Sequence, residues 1–254
     1  MAIKTATVIQ TPPKISVKIW RPIIEKLDKK IEAACLRRDA YLNRVLETEL
    51  PELDREVSIP SSPVAQAFIA ARLDELDRKL VSLTLRPDLV QQLNEICERK
   101  RIVRDAFFNR VFLLLATGSK QIDALFFGDY ADEWRRKVWS EYRNEGPFFQ
   151  NGFSPLDPAI DPFWAIRVGL ELYPDGKPEE WTEPETGKTI QVQRDLFSGG
   201  VYPLNSVYTD PFGQQFKNVD LTGMNCYLPD WKVPGSEAAA ARQKELDEIL
   251  SLDL

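Results

Sequence analysis

The chain has 254 residues, 28% of them charged and 43% hydrophobic, the balance of an ordinary globular protein with one large or two modest domains. It contains no histidine, which removes the commonest general base, the commonest metal ligand and the usual Ser/Cys–His catalytic arrangements at once; neither an enzyme nor a cofactor or metal centre is expected. The net charge of −6 is unevenly divided: residues 1–120 hold 21 Lys/Arg against 16 Asp/Glu, whereas residues 121–254 hold 12 against 23, so the front is suited to phosphates and the acidic back to a different partner.

Residues 1–13 end in Thr11-Pro12-Pro13 and read as an extended arm. Ile15-Ser16-Val17-Lys18-Ile19 then alternates apolar and polar, the period of a strand with one buried face. Helical spacing follows, with Ile23, Ile24, Leu27, Ile31 and Cys35 on one stripe. After the basic break Arg37-Arg38, a second helix carries Tyr41, Leu42, Val45 and Leu46 on its apolar face. Residues 54–78 form a connector, non-helical through Ser58-Ile59-Pro60-Ser61-Ser62-Pro63 and helical from Val64 to Arg78.

The pattern then repeats at a shift of 66. Arg38-Asp39-Ala40-Tyr41-Leu42-Asn43-Arg44-Val45 returns as Arg104-Asp105-Ala106-Phe107-Phe108-Asn109-Arg110-Val111, and positions 15–46 match their counterparts without a gap at nine identities. Val81-Ser82-Leu83-Thr84-Leu85 is the second strand. Leu89, Val90, Leu93 and Cys97 form the second stripe, and Phe107, Phe108, Val111 and Phe112 the second apolar face. An ungapped match of this kind is a duplicated strand–helix–helix unit. One copy lacks a strand partner and a sufficient core, so two copies should pair their strands antiparallel and interlock their helices, by preference within one chain.

Residues 14–53 and 79–118 each resemble a ribbon-helix-helix module, the MetJ/Arc/CopG class of DNA-binding proteins, with Leu83-Thr84-Leu85-Arg86-Pro87-Asp88-Leu89 close to the usual passage from ribbon to first helix. The resemblance covers about a third of the chain. It implies an α+β fold in which two modules form an intrachain pseudo-dimer, and a two-stranded ribbon that enters the major groove of double-stranded DNA. If Ile15, Val17, Ile19, Val81, Leu83 and Leu85 face the helices, the base-contacting side chains are Lys14, Ser16, Lys18, Ser82, Thr84 and Arg86. These differ between the strands, so one pseudo-dimer would read an asymmetric subsite.

The resemblance also implies a phosphate at the N-terminus of each second helix, with Arg37, Arg38, Lys100, Arg101 and Arg104 as the cationic contacts. Arg37 and Val103 stand where such modules often place a Ser or Thr cap, so Asp39 and Asp105 are candidate local caps. Asn43-Arg44 and Asn109-Arg110 are candidates for bonds across the helix interface.

Residues 119–254 resemble no family and are expected to form an acidic partner or self-association region. A helix is expected from Gln121 to Tyr142, strands over Phe163–Tyr173 and Thr189–Phe197 joined by a polar loop, an irregular stretch over 198–234 and a last helix from Glu237 to Leu250. Cys35, Cys97 and Cys226 are far apart, and the two on helix stripes read as core residues. There is no apolar run of the length of a membrane span and no signal-peptide core, which favours a cytoplasmic protein without a membrane partner.

The expected function is sequence-specific DNA binding by a transcriptional repressor or antitoxin-like autoregulator. The alternatives are an accessory factor for plasmid processing or partition, and a non-catalytic scaffold subunit of a nucleoprotein or defence complex. A carboxylate nuclease using Asp157, Asp161, Glu171 or Glu183 is the enzymatic reading, and the spacing of these acids fits no metal motif.

Overall fold

A computed structural model describes residues 13–128, 132, 133, 136, 161–172, 177–197, 199–216 and 218–251. The fold is mixed α+β, with helices in the majority and small antiparallel sheets between them. Residues 1–12 of the predicted N-terminal arm and Asp157 lie outside the described residues, as does half of the Gln121–Tyr142 stretch.

Strand β1 (Lys14–Trp20) pairs antiparallel with β2 (Arg78–Thr84) in the same chain. Ser16 stands opposite Ser82, Val17 opposite Val81 and Lys18 opposite Leu80. Ser16 and Ser82 are repeat equivalents, so this pair marks an approximate twofold axis relating the two copies. Val17, Ile19, Val81 and Leu83 turn inward and are at most 5% exposed.

Below the ribbon, α1 (Arg21–Ala33) packs against α5 (Arg104–Ala116), and α2 (Arg38–Glu56) packs against α4 (Pro87–Lys100). The first helix of each copy therefore lies on the second helix of the other. Both first helices carry a proline in the first turn, Pro22 and Pro87, where it needs no amide partner. Both end in the same turn. Leu36 N bonds Ile31 O and Ile102 N bonds Cys97 O, with Cys35 (φ 57°) and Arg101 (φ 51°) in the left-handed conformation between them. That turn lifts Cys35 out to the surface, contrary to its expected place in the core, while Cys97 is buried.

The connector forms α3 (Pro63–Asp74), whose first turn is capped by Ser62 Oγ accepting from Ala65 N. Beyond α6 (Ser119–Phe126), the structure departs from the sequence-based expectations. Residues predicted as a strand over 163–173 form α7 (Trp164–Leu172). The alternation Trp164, Ile166, Val168, Leu170 mimics a strand. In the helix, Phe163, Ile166, Arg167 and Leu170 share one face, and the three apolar ones pack on the main core.

The loop predicted over 174–188 contributes β3 (Glu179–Thr182), which joins β4 (Thr189–Arg194) and β5 (Val201–Pro203) in a three-stranded antiparallel sheet. The stretch expected to be irregular also holds β6 (Gln214–Phe216), β7 (Val219–Asp220) and two short 3-10 turns. The last helix, α8 (Glu237–Ser251), is held at Arg242, which pairs with Asp195 and lies 3.9 Å from the centre of the Trp231 ring.

The C-terminal half is packed onto the duplicated unit. Phe163, Ile166, Val207, Tyr208, Phe212, Leu221, Met224 and Cys226 share one core with the ribbon and its helices. Polar contacts also join the halves, and two of them are extensive. Arg110 is fully buried: its guanidinium donates to Val207 O, Asp210 O and Asn225 Oδ1 and stacks 3.7 Å from the Phe212 ring centre. Its repeat equivalent Arg44 is solvent-facing and paired with Glu47. The second of these is an acidic cluster on α2. Arg167 donates to Glu49 (2.7 Å), Glu56 (2.6 Å) and Asp161, and Tyr208 Oη donates to Glu49 at 2.5 Å.

Burial pushes the Glu49 carboxyl up to about 7, against the opposing pull of Arg167 and the Tyr208 hydroxyl. A carboxyl raised above its unfolded value of ~4.3 contributes stability that is complete below that pH and is lost as pH rises through the folded value. Wild-type stability should therefore carry a downward component on the order of 2 kcal/mol between about pH 5.5 and 8, absent in Glu49→Gln. Urea titrations of both proteins at the two pH values measure it, and equal slopes would refute it.

The 3-10 turn Thr222–Met224 touches α3 so closely that a Cβ on Gly223 would lie 2.4 Å from Leu73 N and 2.5 Å from its Cα. Both are backbone atoms that cannot step aside. Gly223→Ala should cost about 1–3 kcal/mol in a denaturation midpoint experiment, the range for overpacking, whereas Gly235→Ala would meet only the strain of a left-handed residue.

Candidate nucleic-acid interface

The face of the ribbon that points away from the helices carries Lys14 opposite Thr84, Ser16 opposite Ser82 and Lys18 opposite Leu80. Lys14, Ser16, Lys18 and Ser82 are exposed and Thr84 is half-buried. Leu80 is 64% exposed. The row ends at Trp20 opposite Arg78, both half-buried, and no acidic residue stands in it; its exposed part combines ammonium and hydroxyl donors with the leucine.

Two-stranded ribbons normally leave two open edges of backbone N–H and C=O groups. Here both are clamped at several positions, and the repeated eight-residue phrase supplies the clamps. On the outer edge of β2, Asp39 Oδ2 accepts from Thr84 N (2.9 Å), Asn43 Nδ2 donates to Thr84 O (3.0 Å) and Asn43 Oδ1 accepts from Arg86 N (2.8 Å). On the outer edge of β1, Asp105 Oδ2 accepts from Lys18 N (3.2 Å), Asn109 Nδ2 donates to Lys18 O (2.9 Å) and Asn109 Oδ1 accepts from Trp20 N (2.8 Å). Arg38 adds a bond to Ser82 O and Arg104 one to Ser16 O. Each copy thus clamps the strand of the other copy, and the backbone at Lys18 and Thr84 is held at both N and O.

The expected role of Asn43 and Asn109 at a helix interface is accordingly replaced by a role at the strand edges. Asp39 and Asp105 do not cap their own helices: no side chain caps the N-terminus of α2 or α5. Those helix starts nevertheless flank the ribbon, one along each edge, because their first-turn side chains reach it.

Several of the candidate contact residues are engaged within the chain. Arg86 lies outside β2 at the start of α4, and its guanidinium is taken up by Asp88 (2.6 Å) and Glu47. Its place in the outward row belongs to Leu80, the repeat equivalent of Lys14, which sequence reasoning passed over; carrying the 66-residue shift onto Lys14 would have found it. Arg38 and Arg104, expected at phosphates, each donate to a strand carbonyl, and Arg38 also reaches Asp28. Lys100 is buried, with Nζ 3.5 Å from Ser58 O and 3.7 Å from Asp54, and burial lowers its pKa. Arg101 donates to Ser61 O. Arg37, at the N-terminal edge of α2, is exposed.

Of the acids considered for catalysis, Asp161 is engaged by Arg167 and by Phe163 N, while Glu183 accepts from the Thr186 hydroxyl and Glu171 is exposed. Among the described residues no group of three or more acids or cysteines could hold a metal ion, and no helix is long and apolar enough to cross a membrane. Compared with protein-family models, curated proteins and solved structures, the chain matches none.

Proposed function

We propose that this chain is a sequence-specific double-stranded DNA-binding protein, a ribbon-helix-helix pseudo-dimer built within one chain, acting as a transcriptional repressor of the antitoxin-like, autoregulatory kind. The observation that carries the reading is the outward ribbon face: lysines and hydroxyls without a carboxylate, on a ribbon whose edges are clamped from both sides. A ribbon of two strands fits the major groove, where lysine can donate to guanine O6 and N7 and serine or threonine to several bases. The edge clamps hold the reading side chains in one geometry before DNA arrives, which lowers the ordering cost of binding.

Arg37 and the uncapped starts of α2 and α5 supply the phosphate contacts in this reading, by charge and by free backbone N–H groups. The acidic C-terminal half engages a protein partner or a second copy through surface that does not face the helices, including α8, which buries no residue.

The test is selection from random duplex DNA at about 150 mM salt, followed by titration of the selected site. A defined motif is expected. Lys14→Ala and Lys18→Ala should each weaken binding about tenfold, within the range of ~1–3 kcal/mol for a base-reading side chain. Arg37→Ala should weaken all duplexes alike and flatten the salt dependence by about one unit of slope. Salt-steep binding without a motif would refute base readout, and no binding to any duplex would refute the whole reading.

A further inference from the structure

The approximate twofold axis through Ser16 and Ser82 exchanges Lys14 with Leu80 and Lys18 with Thr84. Both exposed lysines of the outward row therefore lie on β1, while β2 contributes the hydroxyls of Ser82 and Thr84, the isobutyl group of Leu80 and, opposite Trp20, Arg78, whose guanidinium is taken up by Asp74 and Asp105. A single exposed leucine on an ordinary surface needs no explanation. Leu80 is different in its placement: 64% exposed, directly across the ribbon from Lys18, in the row that the helices leave free. Side chains of such a cross-strand pair start about 4.5–5.5 Å apart, so they reach neighbouring positions on whatever the face meets.

We propose that Leu80 is a specificity-determining residue that packs against the 5-methyl group of a thymine, next to the base pair read by Lys18. The inference rests on the DNA-binding reading above and deepens it. In the major groove only thymine offers an exposed methyl, and apolar side chains are its complement. The two lysines beside an acid-free row favour the polyanionic duplex over a protein as the occupant. A leucine adds no hydrogen-bonding pattern of its own, so its selectivity comes from burying that methyl and from rejecting a cytosine amino group it would leave unpaired. The two ends of the ribbon consequently read different chemistry. At one end Lys14 stands with Thr84, a donor with a hydroxyl; at the other Lys18 stands with Leu80, a donor with a methyl contact. The preferred site is then non-palindromic, with a thymine beside the Lys18-contacted guanine and no counterpart at the other end.

The experiment takes the duplex selected from the random pool by the full chain and replaces each thymine in turn by deoxyuridine, which removes the methyl and leaves the pairing edge intact. Fluorescence anisotropy at about 150 mM salt reads the affinity. One position should lose about fourfold, the equivalent of one buried methyl. Leu80→Ala should bind the thymine and deoxyuridine forms equally well. Leu80→Lys, which restores the twofold equivalent of Lys14, should shift the preference at that base pair from T·A towards G·C in a repeated selection. At 64% exposure neither substitution threatens the fold. The proposal is overturned if every deoxyuridine duplex binds within twofold of its parent, or if the sensitivity persists in Leu80→Ala. In both cases the loss on Lys18→Ala would still report base readout by the ribbon. Absence of binding to any duplex would instead bring down the underlying reading together with this one.

Discussion

Arg167→Ala should lower the stability of the chain by about 3–5 kcal/mol, the range for removing one partner of a buried ion pair. Arg167 bonds both Glu49 and Glu56, which sit a double turn apart on α2 and are 0% and 7% exposed. Without it two carboxylates remain in a site closed by Tyr208, whose hydroxyl also points at Glu49 and whose backbone N–H bonds Glu56. Protonation can relieve part of that cost, so the loss should be smaller at about pH 5 than at about pH 8. The C-terminal half should open first, because α7 and Tyr208 are what the cluster fastens to α2. Tryptophan fluorescence during urea unfolding reads this, since Trp164 begins α7. Replacing Arg167, Glu49 and Glu56 together by Met, Gln and Gln should recover most of the loss, because no unpaired charge is then buried. A loss under about 1 kcal/mol in the single variant would contradict the cluster as a structural fastener.

The second large effect is expected at the ribbon edges. Asn109 closes two backbone groups of β1 and bonds Asp105 O, and Asn43 closes Thr84 O of β2 and Arg86 N just beyond it and bonds Asp39 O. Each alanine substitution removes three hydrogen bonds, at a net of ~1 kcal/mol apiece and more where a strand group is left unsatisfied. Asn43→Ala and Asn109→Ala should therefore each cost about 2–4 kcal/mol. The sites clamp different strands, so the double variant should approach the sum. Aspartate in place of either asparagine keeps the acceptor for Arg86 N or Trp20 N but cannot donate to the strand carbonyl, and should fall between wild type and alanine. Amide exchange at Lys18, Trp20, Thr84 and Arg86 should accelerate in the variants while the core of α4 stays protected. A clamp without energetic weight would leave those exchange rates unchanged.

Much of the duplicated unit was legible from period alone. An alternation of two followed by spacing of three and four places Val17, Ile19, Ile24 and Leu27 in the core whatever the partner, because a strand or helix with one apolar face has a single side to bury. The 66-residue shift likewise carries the register: strands that are equivalent and antiparallel are related by a twofold axis, and here it passes through Ser16 and Ser82. The outward lysines, serines and threonine follow from that parity.

The roles of Asp39, Asn43, Asp105 and Asn109 were not legible. Their partners are more than forty residues away in the other copy, and a polar residue on a helix carries no mark of which backbone edge it will close. Arg86 and Arg104 show the same blindness for cations: a guanidinium seen in sequence is a charge available to phosphate, and only the packed structure shows the carboxylate or carbonyl that occupies it. In the C-terminal half local pattern and tertiary structure disagree. Phe163–Tyr173 alternates like a strand, yet the helical phase is the one that turns Arg167 towards the buried acids of α2 while seating Phe163, Ile166 and Leu170 on the core. So short an alternation distinguishes the two phases weakly, and the energy that decides between them comes from contacts with residues a hundred positions earlier.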